Sequence, residues 1–138
     1  MIDDLRQDLK SDEGWRPFAY QDHLGFWTIG YGFLIDQRRG GEIPMPIAEA
    51  WLTYAVTERW NQFVSKFPWL DDQPEAVQRA LGNMAYQLGV GGVSNFKNML
   101  KALQAGDRAG AAAAALDSRW ATQTPKRARR VAALIRGE

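Results

Sequence analysis

Apolar positions recur along the chain with two different periods. Ile2, Leu5 and Leu9 fall on one face of a helix. Asp3 or Asp4 is placed to cap its start, and Gly14 to stop it just after Glu13. Between residues 15 and 34 the spacing changes: aromatic and β-branched residues alternate with turn signals at 21–25, Gly30 and Gly32, the pattern of a small β-hairpin or meander. Residues 36–42 (DQRRGGE) read as a polar loop. Pro44 and Pro46 then precede a long amphipathic helix, with Trp51, Leu52, Ala55, Val56, Trp60, Phe63 and Val64 as its buried face.

Phe67-Pro68-Trp69 closes that helix, and another is predicted from Pro74 to Leu88, with Val77, Ala80, Leu81, Met84 and Ala85 facing a core. Gly89, Gly91 and Gly92 are predicted to break the chain. Ser94 or Asn95 would cap a helix through Ala105, and Asp107 an alanine-rich helix ending near Leu116. Thr124-Pro125 reads as an N-cap followed by proline at the first helical position, opening a last helix to about Arg136. The expected class is α+β: mostly helical, with one small sheet near the N-terminus.

The 138 residues, 46% of them hydrophobic, suit one domain with a real core. Absence of cysteine excludes a disulfide scaffold, a thiol nucleophile and a thiolate metal site. His23, the only histidine, is too few for a conventional zinc cluster. No stretch approaches the roughly 18 apolar residues of a membrane span. The N-terminus lacks the basic start and apolar middle of a signal peptide, so synthesis in a cytoplasm is expected, with release by some other agent if the protein works outside. Net charge is +1 but unevenly spread: the first thirteen residues hold five acids and two bases, whereas 119–136 hold six bases and no acid. Such a tail is by default a solvated helix face. It also fits a polyanionic partner, or an acidic site in the same fold.

The informative segment for chemistry runs from Glu13 to Phe33. It places one carboxylate at a helix C-terminus, a second (Asp22) in a hairpin turn and a hydroxyl (Thr28) on the returning strand. Cleaving a glycosidic bond needs a proton donor for the leaving oxygen and a second group to position water or stabilise the sugar cation. Two carboxylates on separate rigid elements can divide those roles. Taken singly, each residue has a plain explanation. A helix-terminal Glu is usually solvated, though it opposes the helix dipole; Asp22 can hydrogen-bond its own turn; Thr28 suits a strand; the glycines suit turns.

Glu13, eight residues, Asp22, five residues, Thr28, then Ile29-Gly30-Tyr31-Gly32 resembles the bacteriophage lysozymes of glycoside hydrolase family 24. Residues 80–96 (ALGNMAYQLGVGGVSNF) resemble that family's central helix and the turn after it, and residues 118–131 (SRWATQTPKRARRV) its C-terminal segment. The three matches lie in order and frame nearly the whole chain. The resemblance implies a lysozyme-like fold in one domain, 1–138. A β-containing lobe would cover about 13–46, residues 1–12 and 66–138 would be helical, and 47–65 would form a connecting helix.

It further implies hydrolysis of the β-1,4 bond between N-acetylmuramic acid and N-acetylglucosamine in bacterial peptidoglycan. No metal or organic cofactor is expected, nor a nucleic-acid or membrane partner, and the enzyme would be a monomer. Glu13 would be the general acid, Asp22 and Thr28 would hold the attacking water, and Arg127 matches an arginine that pairs with the catalytic Glu. Leu34 and Tyr86 match positions lining the sugar cleft, and Gln87, Arg119 and Thr124 match polar residues at or near it. Inversion of the anomeric centre is expected, with carboxyl groups roughly 6.5–9.5 Å apart.

There are departures. Phe33 stands where relatives carry a structural His, and Met99 and Ala114 stand where relatives often have polar sugar contacts. The stretch from Leu34 to Ile47 is shorter than in larger members. Three rival readings are a lytic transglycosylase on the same bond, a DNA-binding protein built on residues 75–103 with the basic tail, and a wall-binding module without activity. The second helix of the DNA-binding reading carries only Lys97 and Lys101 and spends Phe96, Met99, Leu100 and Leu103 on a core.

Overall fold

The computed structural model of the protein describes residues 1–35 and 42–138, and for Leu5 the backbone only. The polar loop expected at 36–42 lies, apart from Glu42, outside the described residues. The chain forms two compact units, Met1–Ala50 and Trp51–Glu138.

The first unit opens with α1, Ile2–Glu13. Gly14 ends it at φ 72, and its N–H donates to the Lys10 carbonyl at 3.0 Å. Asp3 and Asp4 do not cap the helix. It begins before them, with Met1 as N-cap, so both carboxylates sit inside the first turn, where they favour the helix dipole instead. Three antiparallel strands follow in the order β1-β2-β3: β1 Arg16–Gln21, β2 Trp27–Gly30 and β3 Phe33–Leu34. Tyr20 pairs with Thr28 and Gln21 with Trp27, but Arg16 pairs with Gly30, so β1 carries extra residues before Tyr20. Pro17 falls in this irregular stretch of an edge strand, where a missing N–H costs no ladder bond.

Helix α2, Met45–Lys66, runs through the boundary between the units. The second unit continues with a short 3-10 helix, Pro68–Asp72, then α3 Glu75–Ser94, α4 Lys97–Gln104, α5 Arg108–Leu116, α6 Arg119–Gln123 and α7 Pro125–Arg136. All fully buried apolar side chains among the described residues belong to this unit. Val77, Ala80, Leu81, Met84 and Ala85 of α3 are fully buried, as their spacing predicts. Each large side chain among them contributes roughly 1.5–3 kcal/mol. Ala111, Ala112 and Ala115 let α5 pack closely on its neighbours α4 and α7.

Several expectations need correction. On α2 only Phe63 is fully buried, with Trp60 and Val64 partly buried against the core; Trp51, Leu52 and Val56 are 57%, 48% and 41% exposed. Leu52, Val56 and Trp60 line an open groove instead. The expected break falls at Gly89, which leaves helical geometry (φ 74, ψ 161) and divides α3 into two helical segments; Gly91 and Gly92 do not extend it, and the second segment runs through them to Ser94. Val93 is buried in the core and Val90 packs against it, which holds this segment despite the low helix propensity of two glycines. Neither Ser94 nor Asn95 caps α4; the Ser94 hydroxyl donates back to the Val90 carbonyl at 2.6 Å, and Phe96 is the N-cap, without a side-chain bond. Asp107 does cap α5, accepting from the Gly110 N–H at 2.8 Å. Thr124 is the N-cap of α7 and Pro125 its first residue, as expected, but without a side-chain capping bond: the Thr124 hydroxyl donates to the Trp120 carbonyl at 3.0 Å.

The C-terminal helix is closed by Gly137 in the left-handed conformation, whose N–H donates to the Ala133 and Leu134 carbonyls, and by Arg108. Arg108 Nε donates to the Ile135 carbonyl at 2.6 Å, an acceptor that a helix end leaves open, and its NH2 adds a bond to the Leu134 carbonyl at 3.2 Å.

Candidate active site

Four of the residues singled out by sequence, Glu13, Asp22, Thr28 and Leu34, belong to the first unit. Glu13 is the last residue of α1. Its carboxylate lies against the turn joining β2 to β3. A Cβ added to Gly32 would stand 2.5 Å from Glu13 Oε2 and 2.8 Å from its Cδ. Gly32 also has φ +74, a conformation that favours glycine. The bare backbone of Gly32 therefore serves two demands, a left-handed turn and room for the carboxylate. Gly30 repeats the pattern at φ +72, where an added Cβ would meet the Phe33 ring at 2.9 Å. Phe33 thus covers Gly30 while remaining 62% exposed.

Asp22 ends β1 and organises the turn that follows. Its Oδ1 accepts from the N–H groups of Leu24 and Phe26, both at 2.9 Å, while its own N–H donates to the Phe26 carbonyl at 2.8 Å. Both side-chain bonds go to Oδ1. The carboxylate is thereby fixed in orientation with Oδ2 outside the turn's bonding.

Thr28 lies on the central strand and is the one buried polar side chain among the described residues, at 4% exposure. Its hydroxyl donates to the Phe26 carbonyl at 3.2 Å. With its hydrogen so committed, Oγ1 is left as an acceptor. Thr28 faces Tyr20 across β1 and Leu34 across β3, so these three side chains share one face of the sheet. Asp22 pairs with Phe26, two residues from Thr28 along β2, which makes Asp22 and Thr28 a diagonal pair, typically about 7–8 Å apart between backbones.

The remaining predicted residues belong to the second unit. Tyr86 and Arg127 line an open groove of about 630 Å³ together with Leu52, Val56, Trp60 and Asn83. The guanidinium of Arg59 lies 5.3 Å from the centre of the Tyr86 ring. Arg127 Nε donates to Asn83 Oδ1 at 2.8 Å and its NH2 to the Asn83 carbonyl at 3.3 Å. Gln87 Oε1 accepts from the indole Nε1 of buried Trp120 at 2.9 Å, and that indole meets Phe96 edge-on. Met99 is 1% exposed, yet it lines a smaller hollow with Ala114, Asn98, Asp117 and Ser118. Arg119 is exposed at the start of α6, whose N-cap is Ser118: its hydroxyl accepts from the Ala121 N–H at 3.1 Å.

Sequence reasoning takes Gly32 for an ordinary turn residue and assigns nothing to Asn83 or Ser118. Only the second glycine of Ile29-Gly30-Tyr31-Gly32 hints at a close approach; nothing in the linear pattern marks Asn83. Among the described residues no three His, Asp or Glu side chains gather to hold a metal ion, and no helix is long and apolar enough to cross a membrane.

Comparison with known proteins identifies the family. The family model described as phage lysozyme matches residues 10–136. A protein named probable T4-type lysozyme 2, from Dictyostelium discoideum, is 30% identical over 95% of this chain and 92% of its own length. The pre-baseplate central spike protein Gp5 of Enterobacteria phage T4 is 34% identical over 92% of this chain, which corresponds to 26% of that protein. The peptidoglycan hydrolase gp36 of Pseudomonas phage phiKMV is 28% identical over 89% of this chain and 14% of its own length. A family match over nearly the whole chain, and a relative matched over nearly its whole length, lead to one conclusion: the chain belongs to the phage lysozyme family and is a glycoside hydrolase.

Proposed function

We propose that the protein hydrolyses the β-1,4 bond between N-acetylmuramic acid and N-acetylglucosamine in bacterial peptidoglycan, with inversion at the anomeric carbon. Glu13 donates a proton to the leaving oxygen. Asp22 and Thr28 hold the attacking water. The observation that carries this reading is the hydrogen-bond state of the Asp22–Thr28 pair. Asp22 Oδ2 stands outside the turn's bonds, and Thr28 Oγ1 has spent its hydrogen on the Phe26 carbonyl. Both therefore accept. A water between them donates both its hydrogens, and its lone pair is left to face the sugar. As the bond breaks, Asp22 takes the water's proton while Glu13 gives up its own, so charge balances across the step.

Leu34 shares the face of Thr28 and would meet the sugar with its apolar side chain. Tyr86, Gln87, Met99, Ala114, Arg119, Thr124 and Arg127 are carried into this reading on the family resemblance alone. The named peptidoglycan hydrolase among the relatives supports the choice of polymer. The enzyme would act as a monomer on the wall after release through a separate pore.

The test is product analysis. Purified peptidoglycan is digested and the new reducing ends are read by NMR at once, before mutarotation. Inversion gives the α anomer first. A β anomer would assign Asp22 as a nucleophile, and a 1,6-anhydro end would assign the protein as a lytic transglycosylase.

A further inference from the structure

We propose that Tyr31 is a positioning residue for Glu13, held by Lys10 and Trp15 so that the Gly30-Tyr31-Gly32 turn stays seated against the carboxylate. This inference rests on the reading of Glu13 as the general acid.

The physical need arises from the turn itself. Gly30 and Gly32 both sit at positive φ, and Gly32 must remain bare because Glu13 occupies the space of its Cβ. Two such glycines give the turn more conformational freedom than any other pair would. Neither can anchor it through a side chain. Tyr31, between them, carries the one side chain of this three-residue turn.

Two neighbours hold it. The Trp15 ring lies 5.3 Å from the Tyr31 ring, centre to centre, tilted by 44°. Its edge also reaches to 3.9 Å from where a Gly30 Cβ would stand, so the indole covers two residues of the turn. Lys10 Nζ also lies 5.6 Å from the centre of the Tyr31 ring, within cation–π range. Lys10 is one helical step from Glu13 on the same face, three residues earlier, and its carbonyl receives the Gly14 N–H that ends α1. Helix end, carboxylate and glycine turn are thus tied together through one aromatic ring. Neither Lys10, Trp15 nor Tyr31 touches the reacting atoms in this account.

The experiment measures kcat and KM separately on purified soluble peptidoglycan fragments, well below each variant's melting temperature. Tyr31→Leu keeps apolar bulk but loses the ring. Misplacement of an acid by about 1 Å costs up to about 100-fold, so kcat is expected to fall between about tenfold and 100-fold with KM unchanged. Tyr31→Phe keeps ring and stacking and should restore kcat to within about threefold of wild type. Lys10→Met, at a half-buried position of α1 where an apolar side chain of similar length is tolerated, removes the cation and should lower kcat in the same direction; it carries the test if Tyr31→Leu does not fold. Wild-type kcat in both folded variants, or in Lys10→Met where it alone folds, overturns the proposal. So does a loss confined to KM, which would make Tyr31 a sugar contact. Glu13→Gln runs alongside. If it is inactive while Tyr31→Leu and Lys10→Met turn over normally, only this inference fails. If Glu13→Gln is itself active, the assignment of the acid fails, and the inference with it.

Discussion

Replacing Gly32 by alanine tests the closest contact of the candidate site. The added methyl would stand 2.5 Å from Glu13 Oε2, whereas ordinary non-bonded contacts lie at about 3.5 Å or beyond. The carboxylate must then withdraw by about 1 Å. Displacement on that scale costs an acid about 100-fold in rate. Alanine must also adopt φ +74, which costs roughly 1–2 kcal/mol. For a chain of this size that lowers the melting temperature by about 3–7 °C. The assay pairs lysis of permeabilised bacteria with a thermal melt. Gly106→Ala is the control, because Gly106 has φ +80 with nothing within 4 Å of the added Cβ. It should reproduce the fall in melting temperature and leave lysis unchanged. A Gly32→Ala variant that melts lower yet lyses at the wild-type rate would refute the argument that this glycine makes room for a working carboxylate.

Other expectations follow from the same geometry. Thr28→Val keeps the strand and its packing but removes the acceptor proposed to hold water. Lysis should drop by about 100-fold or more with stability within about 1.5 kcal/mol of wild type, and Thr28→Ser should retain most activity; unchanged lysis by Thr28→Val would remove it from the mechanism. Arg108→Ala breaks the two bonds to the end of α7. Stability should fall by about 2 kcal/mol, measured by urea unfolding, with the lysis rate unaffected at low temperature. Trp120→Phe frees Gln87 Oε1 from its bond. KM should then move more than kcat if Gln87 meets the sugar, and neither should move if it serves only the core.

How far these features were legible in the sequence differs by element. The core face of α3 was readable because Val77, Ala80, Leu81, Met84 and Ala85 keep strict helical spacing in a buried element. The same logic misread α2, because periodicity reports that a face is apolar and not what covers it; Leu52 and Val56 line a groove. Of the glycines after Leu88, Gly89 breaks the helix as its pattern predicts, whereas Gly91 and Gly92 stay helical because propensity is a weak prior where neighbouring valines pack into a core. Thr124 is the N-cap that the Thr-Pro pair predicts, while Ser94 is not a cap; both hydroxyls turn back to carbonyls four residues earlier, a local competition that linear pattern cannot resolve. The turn chemistry of Asp22 was legible, being local, and its bonds to Leu24 and Phe26 are what an Asp in that place makes. The seat of Glu13 on Gly32 was not legible, since it joins residues nineteen apart through a turn whose geometry only the folded sheet defines.

The central claim is that this glycoside hydrolase works through the Glu13 carboxyl group. Glu13→Gln keeps the size of the side chain and its place beside Gly32 but removes the proton it would donate. The decisive measurement is release of reducing ends from purified peptidoglycan by this variant, with its fold checked by circular dichroism and thermal melting. The account predicts a folded protein that releases none above background. A folded Glu13→Gln variant releasing them at close to the wild-type rate would contradict it.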